Sequence, residues 1–309
     1  YGGKPLPFYK VFYGGGVGSV RGYETIIRLR WKAGKLRITR SLIIFTLASA
    51  SLFLLSGIYI YYNTVILNVF ETTSDVDERQ ARYEKMFKQY RFTPQPKIVE
   101  SNIKMDIYPY RRDFTAEGFY VLKNKSNQNL QKVHVQQNTD HQLKVIYLRF
   151  DEPVILREDY PEFRYSIYEL ANPLKPGDSL RMFFHLSFST PGFEESGSNA
   201  DIVYNGTFLN SIYFPSFGYN DAFELSENGN RRQQGLSAKE RMLDHNDPRG
   251  KAKSAFGNDA DHIRFEMVVS TEADQIAIAP GQLQKEWRQD DRRYFHYKVS
   301  APMCNFYSI

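Results

Sequence analysis

Six histidines, one cysteine, one adjacent pair of glutamates and one glycine-rich loop are the places in this 309-residue chain where chemistry could begin. His134, His141, His185, His245, His262 and His296 include no H-E-x-x-H or H-x-x-x-H pair, the spacings that put two metal ligands on one helix face. His185 and His296 alternate with apolar residues and read as strand side chains on the less buried face. "DHNDPRG" resembles a calcium loop only superficially, because Pro248 occupies a ligand position and the glycine and closing glutamate are displaced. Cys304 is the sole cysteine, so no disulfide can form within the chain, and it reads as a buried small residue. No motif supports it as a nucleophile paired with a histidine. Glu194 and Glu195 stand together in a Gly/Ser loop and read as a solvated charge pair. The loop "FYGGGVGSVRGYE" fails as a dinucleotide fingerprint, since Arg21 takes the last glycine's place, and fails as a P-loop, since no Gly-Lys-Ser/Thr closes it. The residues themselves thus predict neither an active site nor a bound cofactor or metal.

The elements around these residues divide the chain sharply. The formal charge is +5, but residues 1–40 carry nine basic groups and one acid, and the rest is slightly acidic. The basic balance is therefore local, and a nucleic-acid footprint, which needs a basic face on a folded domain, is not expected. Residues 41–70, "SLIIFTLASASLFLLSGIYIYYNTVILNVF", contain no charge. A bilayer core needs about 20 apolar helical residues, so a transmembrane helix is predicted over 41–66, with Tyr59, Tyr61 and Tyr62 at an interface. "ASA" at 48–50 fits a signal-peptide cleavage site, but the apolar run continues well past it. Six basic residues between Arg28 and Arg40 place the N-terminal side in the cytoplasm by the positive-inside rule and the C-terminal bulk outside it.

Residues 67–96 read as a helical stalk and a proline linker. Asp75 and Glu78 resemble an N-cap and its partner, "DERQARYEKMFKQY" is rich in helix formers, and "TPQPK" stops the helix. A solvated spacer is expected there. From residue 97 the period becomes two. Ile103, Met105 and Ile107 share a face, as do Phe114, Ala116, Gly118, Tyr120 and Leu122, and Leu180, Met182, Phe184, Leu186 and Phe188. Short alternating strands separated by turns such as "LKPGDS" predict a mainly β, antiparallel sandwich over 97–309. Residues 227–262 are polar and read as a surface insertion with a helical piece near 238–244.

Two resemblances extend this reading. "LPFYKVFYGGGVGSVRGYE" resembles the outer-membrane barrel-assembly and surface-antigen family, whose V-R-G-[FY] motif would put Arg21 in a barrel lumen. A barrel needs at least eight strands, which nothing after residue 24 supplies. From about residue 37, "YNTVILNVFETTSDVDERQARYEKMFKQY", "DIYPYRRDFTAEGFYVLKN", "GFEESGSNADIVYNGTF", "YFPSFGYN" and "APMCNFYSI" resemble bacterial membrane proteins that join an ABC-transporter permease to an aminopeptidase of the aminopeptidase N family. The resemblance implies that residues 97–309 form the saddle-like N-terminal β-domain preceding a zinc catalytic domain. "YFPSFGYN" would correspond to A-R-x-x-F-P-x-x-D-x-P, with Ser211, Gly218 and Asn220 departing from it. Counting back from Pro215, the residue that holds the substrate's free amine falls at Asn205, though Asn205-Gly206 also reads as a plain turn.

The first methionine is Met86, and the chain reads as a fragment or processed product. The change of resemblance between residues 24 and 37 points to a fused or mis-assembled reading frame, with a short extension of a permease protein as the alternative. The expected parts are a barrel-assembly-like fragment at 1–24, a basic cytoplasmic flank at 25–40, the span, the stalk and the sandwich. The expected role is a membrane-tethered extracytoplasmic β-domain of a metallo-aminopeptidase/permease fusion in the bacterial inner membrane, non-catalytic alone, with zinc only in the catalytic domain. The implied partners are the lipid bilayer, a peptide substrate and a transporter ATPase subunit, and not nucleic acid. A membrane-anchored interaction module and an outer-membrane assembly fragment are the alternatives.

Overall fold

The chain's architecture was read from a computed structural model, which describes residues 28–32, 39–195, 199–241, 244–247, 257 and 259–309. Arg21 and the glycine-rich loop lie outside these residues. Two compact units divide the chain, Tyr1–Tyr61 and Tyr62–Ile309.

In the first unit, α1 spans Arg40–Tyr61 and buries none of its residues. Thr39 Oγ1 accepts from the Leu42 amide at its start. An all-round apolar helix has no polar face to give to water. With the residues to Leu67 it is long and apolar enough to cross a membrane by length and composition.

The second unit starts with a π-helical turn, Tyr62–Leu67, followed by α2, Thr73–Phe87. The N-cap of α2 is Thr72 rather than Asp75. Thr72 Oγ1 accepts from the Asp75 amide while the Asp75 carboxylate accepts from the Thr72 amide, a reciprocal capping box. The Thr72 hydroxyl, donating to the Asp75 carboxylate at 2.6 Å, and then the Thr72 amide hold that carboxyl below its usual range. Asp75 therefore sits at the third helical position, one turn later than its type alone suggests.

Two sheets follow. The larger runs in the order β12 (Gln282–Gln289), β13 (Arg292–Lys298), β11 (His262–Glu272), β1 (Lys97–Tyr108), β2 (Asp113–Lys123), β7 (Ser179–Ser189), β4 (Leu143–Phe150), with β14 (Met303–Cys304) also on β11. The smaller runs β10 (Ser216–Phe217), β3 (Leu130–Gln136), β6 (Tyr165–Leu174), β5 (Val154–Tyr160). A hairpin of β8 (Ile202–Val203) and β9 (Gly206–Thr207) stands apart. The expected mainly β sandwich is present, with one departure from antiparallel order: β1 and β11 run parallel, Glu100 opposite Arg264 through Asp106 opposite Ser270. Parallel neighbours need a long connection, and the whole of β2 to β10 serves as one.

The apolar faces read from period two are the core. Ile103, Met105 and Ile107 of β1, Phe114, Ala116 and Leu122 of β2, and Met182, Phe184 and Leu186 of β7 pack with Val133 and Val135 of β3 in one cluster. Gly118 falls on this face by alternation, and a Cβ there would collide with the Asn102 carbonyl.

A second cluster lies on the other face of the small sheet. Tyr83 and Phe87 of α2 pack on Phe163, Tyr165, Ile167 and Tyr219. The Tyr83 ring stacks on Tyr219 at 5.3 Å and Phe87 lies 4.4 Å from Tyr165. The stalk is thus a third layer of the domain and not a solvated spacer. The reason is visible in its spacing, since Tyr83 and Phe87 are four apart and share a helical face. Below them Glu84 meets Arg231, with Nη1 to Oε2 at 2.7 Å and Nη2 to Oε1 at 2.9 Å. Arg231 lies on α3, Asn228–Gln233, in the polar stretch expected to be a surface insertion. That stretch is pinned into the domain by this buried arginine, and residues 238–241 are not helical.

Candidate functional site

β8 and β9 pair Ile202 with Thr207 and Val203 with Gly206, leaving Tyr204 and Asn205 as the turn. Neither Asn205 nor Gly206 has a positive φ, so the pair does not make the mirror-image turn that Asn-Gly favours. The turn overhangs a cleft of about 630 Å³ bounded by Ile107, Tyr110, Thr271, the segment from Asp274 to Ile278, and Ile309. Gln275 fixes the overhang. Its Nε2 donates to the Tyr204 carbonyl at 2.7 Å, and its Oε1 accepts from Thr271 Oγ1 at 3.2 Å. The chain end is fixed too, by reciprocal backbone bonds between Leu209 and Ile309 at 3.0 and 2.8 Å.

The cleft combines apolar walls with few polar groups, the usual make-up of a small-ligand site. Ile276 and Ile278 are 65% and 69% exposed. Asn205 is exposed and offers an amide oxygen. Tyr110 Oη donates to Asp274 Oδ2 at 3.4 Å, and the negative charge of Asp274 raises the phenol's pKa. Thr207 Oγ1 is buried without a hydrogen-bond partner. An oxygen-rich rim of Asn205 and Asp274 over isoleucines suits a cation carried on an apolar group. Asp274, Tyr204 and Tyr110 were not singled out from sequence. They come from three distant segments, and nothing in "TEADQ" or "YPYRRD" marks them before the fold brings them together.

The "YFPSFGYN" segment plays a structural part. Tyr213, Phe214 and Phe217 enter the main core and Tyr219 the second cluster. Gly218 has φ +85° and its amide donates to the His134 carbonyl at 2.9 Å. An aspartate there would be strained, which accounts for glycine at that position. Asn220 caps the turn Asp221–Phe223 through Ala222, and Ser211 opens the turn Ser211–Tyr213.

The remaining candidates are dispersed. His134 is buried with Nδ1 2.8 Å from Tyr165 Oη, and desolvation lowers its pKa to about 4. His141 lies 3.4 Å from Glu71, and His296 lies 2.7 Å from Glu266. His185 meets the Tyr147 ring edge-on. Among the described residues no three His, Cys, Asp or Glu side chains gather as a metal would require. Cys304 is exposed, against the expectation of a buried residue, because β14 is a two-residue strand with its outer side to solvent. Glu194 is half-buried and accepts from Gln142 Nε2 at 2.7 Å, so it separates from solvated Glu195. Burial and then Asp140 raise its pKa.

No protein-family model and no curated protein matches the chain. Among solved structures, similarity is found to a two-domain M1 zinc metallopeptidase variant bound to L-tryptophan, at 10% identity and a TM-score of 0.41. An M1 zinc metallopeptidase from Deinococcus radiodurans gives 9% and 0.40. Each alignment covers 69% of this chain and 42% of the other, so the chain spans less than half of those proteins.

Proposed function

We propose that this chain is a membrane-tethered, extracytoplasmic β-domain that works with a zinc aminopeptidase domain in a permease fusion, holding the substrate's free amine without performing the chemistry itself. The position of Asn205 carries the reading. The residue to which the resemblance assigns the amine stands on a fixed turn, at the rim of a cleft that also carries the Asp274 carboxylate. An amide oxygen and a carboxylate both accept from an ammonium, and Ile276 and Ile278 offer an apolar wall for the first side chain. The basic flank before α1 supports a cytoplasmic N-terminal side in the inner membrane, and a transporter ATPase subunit would be a partner through the permease. Zinc would reside in the catalytic domain, where it lowers the pKa of bound water to about 7.

The test pairs the full chain with the catalytic domain. Asn205→Ala is expected to raise KM for free-amine peptides by about 1.5–3 kcal/mol equivalent while sparing kcat. An unchanged KM removes Asn205 from the site. Protease added to spheroplasts should digest residues 97–309 and leave an N-terminal tag intact, whereas protection of the domain reverses the orientation.

A further inference from the structure

A second cleft opens where both sheets end. β4 pairs only with β7 and β5 only with β6, so each presents a free edge, and the two strands line one groove of about 750 Å³. Two hydrogen bonds fix which way β4 faces. The Ser189 amide donates to Gln142 O, and the Asp151 amide donates to Arg181 O. Backbone direction alternates along an antiparallel strand, and Ile146 is an extra residue at the irregularity between Val145 and Tyr147. Lys144, Tyr147 and Arg149 therefore bond to β7, while the backbone groups of Val145, Leu148 and Phe150 turn toward the groove. The neighbouring outward carbonyl, Leu143 O, is occupied by Arg164 Nη1 at 2.6 Å.

The side chains alternate with the same period. Leu143, Val145, Leu148 and Phe150 lean on the core, and Leu156 and Tyr168 continue this apolar surface across the groove. Lys144, Tyr147 and Arg149 stand exposed on the outer face. β4 has two cations and no acid. The acids of β5 are engaged within their own sheet, Glu158 by Tyr160 Oη at 2.6 Å and Asp159 by Ser166 Oγ at 2.8 Å. Lysines and bulges also blunt sheet edges against pairing. Blunting does not account for an apolar groove beyond the edge, nor for Ile146 and Leu156 left exposed on its walls.

We propose that this groove receives an extended peptide as an added strand on β4, with apolar residues directed into the groove and acidic residues alternating beside Lys144 and Arg149. A second copy of β4 is the wrong occupant, because antiparallel self-pairing about Ile146 and Tyr147 sets Lys144 opposite Arg149, and like charges directly opposite destabilise a ladder. Main-chain bonds supply the affinity in such strand addition and the alternate side chains supply the selection.

The probe is a fluorescent, capped octapeptide alternating valine and glutamate, matched to the 8 residues of β4, read by anisotropy on the full chain in detergent micelles. Saturable binding is expected, weakened about tenfold or more when lysine replaces glutamate, since each reversed cross-strand pair disfavours the complex. N-methylation of alternate amides, in the register that faces β4, should abolish it. Lys144→Glu, on the exposed face, should remove most of the preference between the two peptides, since Arg149 then stands against one acid, while circular dichroism stays unchanged. Absence of saturable binding, equal binding of the lysine peptide, or indifference to N-methylation in both registers overturns the proposal. Concentration-dependent dimerisation that competes with the peptide would instead identify a second copy as the occupant, and equally overturns it.

Discussion

The small sheet has one face sealed and one edge open. Its outer face lies under α2, where Tyr83, Phe87, Tyr165 and Tyr219 exclude water and Glu84 meets Arg231. Its edge strand β5 leaves Ile155 and Leu156 in solvent, Leu156 on the wall of a groove. Both regions are made of aromatic and β-branched residues, so composition does not distinguish them. The difference lies in what the chain itself supplies. α2 arrives with a matching apolar stripe and a charged partner, and no described element arrives over β5.

The sealed side is the place to break first. Arg231 is 0% exposed and gives hydrogen bonds to Glu84, to the Leu225 carbonyl at 2.6 Å and to the Ser237 carbonyl at 2.7 Å. Burial alone would raise the Glu84 pKa, but the hydrogen bonds from Arg231 and Lys88 overcome it and hold the carboxyl low. Arg231→Ala leaves the buried Glu84 carboxylate to Lys88 alone and is expected to destabilise the domain by about 3 kcal/mol. Adding Glu84→Gln should recover part of that loss, because the under-compensated buried charge is removed. Urea denaturation of the two variants checks it. Equal stability of Arg231→Ala and the parent chain would mean that the Glu84–Arg231 pair adds nothing net to the hold on α2.

A smaller effect separates two buried titrating groups near the same sheet. His134 has its pKa lowered to about 4 by desolvation, and Asp259 has its pKa raised to about 6 by desolvation, which outweighs the hydrogen bond from the Phe217 amide at 3.0 Å. Unfolded values are about 6.5 and 3.9. His134 is depressed on folding, so between about pH 6.5 and 4 the unfolded chain binds more protons and stability falls with acid. Asp259 is raised on folding, so between about pH 4 and 6 the folded chain binds more protons and stability falls with rising pH. The two slopes oppose each other and the parent chain should be nearly flat over this window. His134→Gln should make stability fall from pH 4 to 6, and Asp259→Asn should make it rise, each by about 2–3 kcal/mol across the window. Parallel pH profiles for all three chains would show that neither group titrates as its surroundings imply.

The sealed side was also the less legible one. The period-two faces of β1, β2 and β7 are core residues throughout, because alternation reports burial directly on a half-covered sheet. "KVHVQ" misleads in the same code. Val133 and Val135 face the main core as alternation implies, but His134 and Gln136 are buried as well, since α2 and its neighbours cover the second face. That covering depends on Tyr83 and Phe87 meeting Tyr165 and Tyr219 across 78 to 136 positions, a contact that no local pattern contains. The candidate site divides similarly. Asn205 was reached through a resemblance, whereas Asp274 and Tyr110 enter the cleft only through tertiary folding. The parallel pairing of β1 with β11 also escapes local reading, because both strands carry the same alternation as their antiparallel neighbours.

The smallest expected effect sharpens the comparison most. Ile167 and Ile155 lie on adjacent strands of one sheet, 1% and 53% exposed. Truncating Ile167 to alanine removes buried methyl groups and leaves a cavity under α2, which should cost about 2–5 kcal/mol. Ile155→Thr keeps the β-branched shape that suits a strand and removes only surface already in water, so it should change stability by no more than about 0.5 kcal/mol. The measurement is the urea midpoint at two protein concentrations well apart. A loss approaching that of Ile167→Ala would mean that Ile155 is covered in the folded protein. If that loss grew with protein concentration, the cover would be another copy of the chain. If it did not, the cover would come from within the same chain. Either result would remove the contrast between a sealed face and an open edge. A loss within the small bound leaves the edge free in the isolated chain, the condition that any added strand requires.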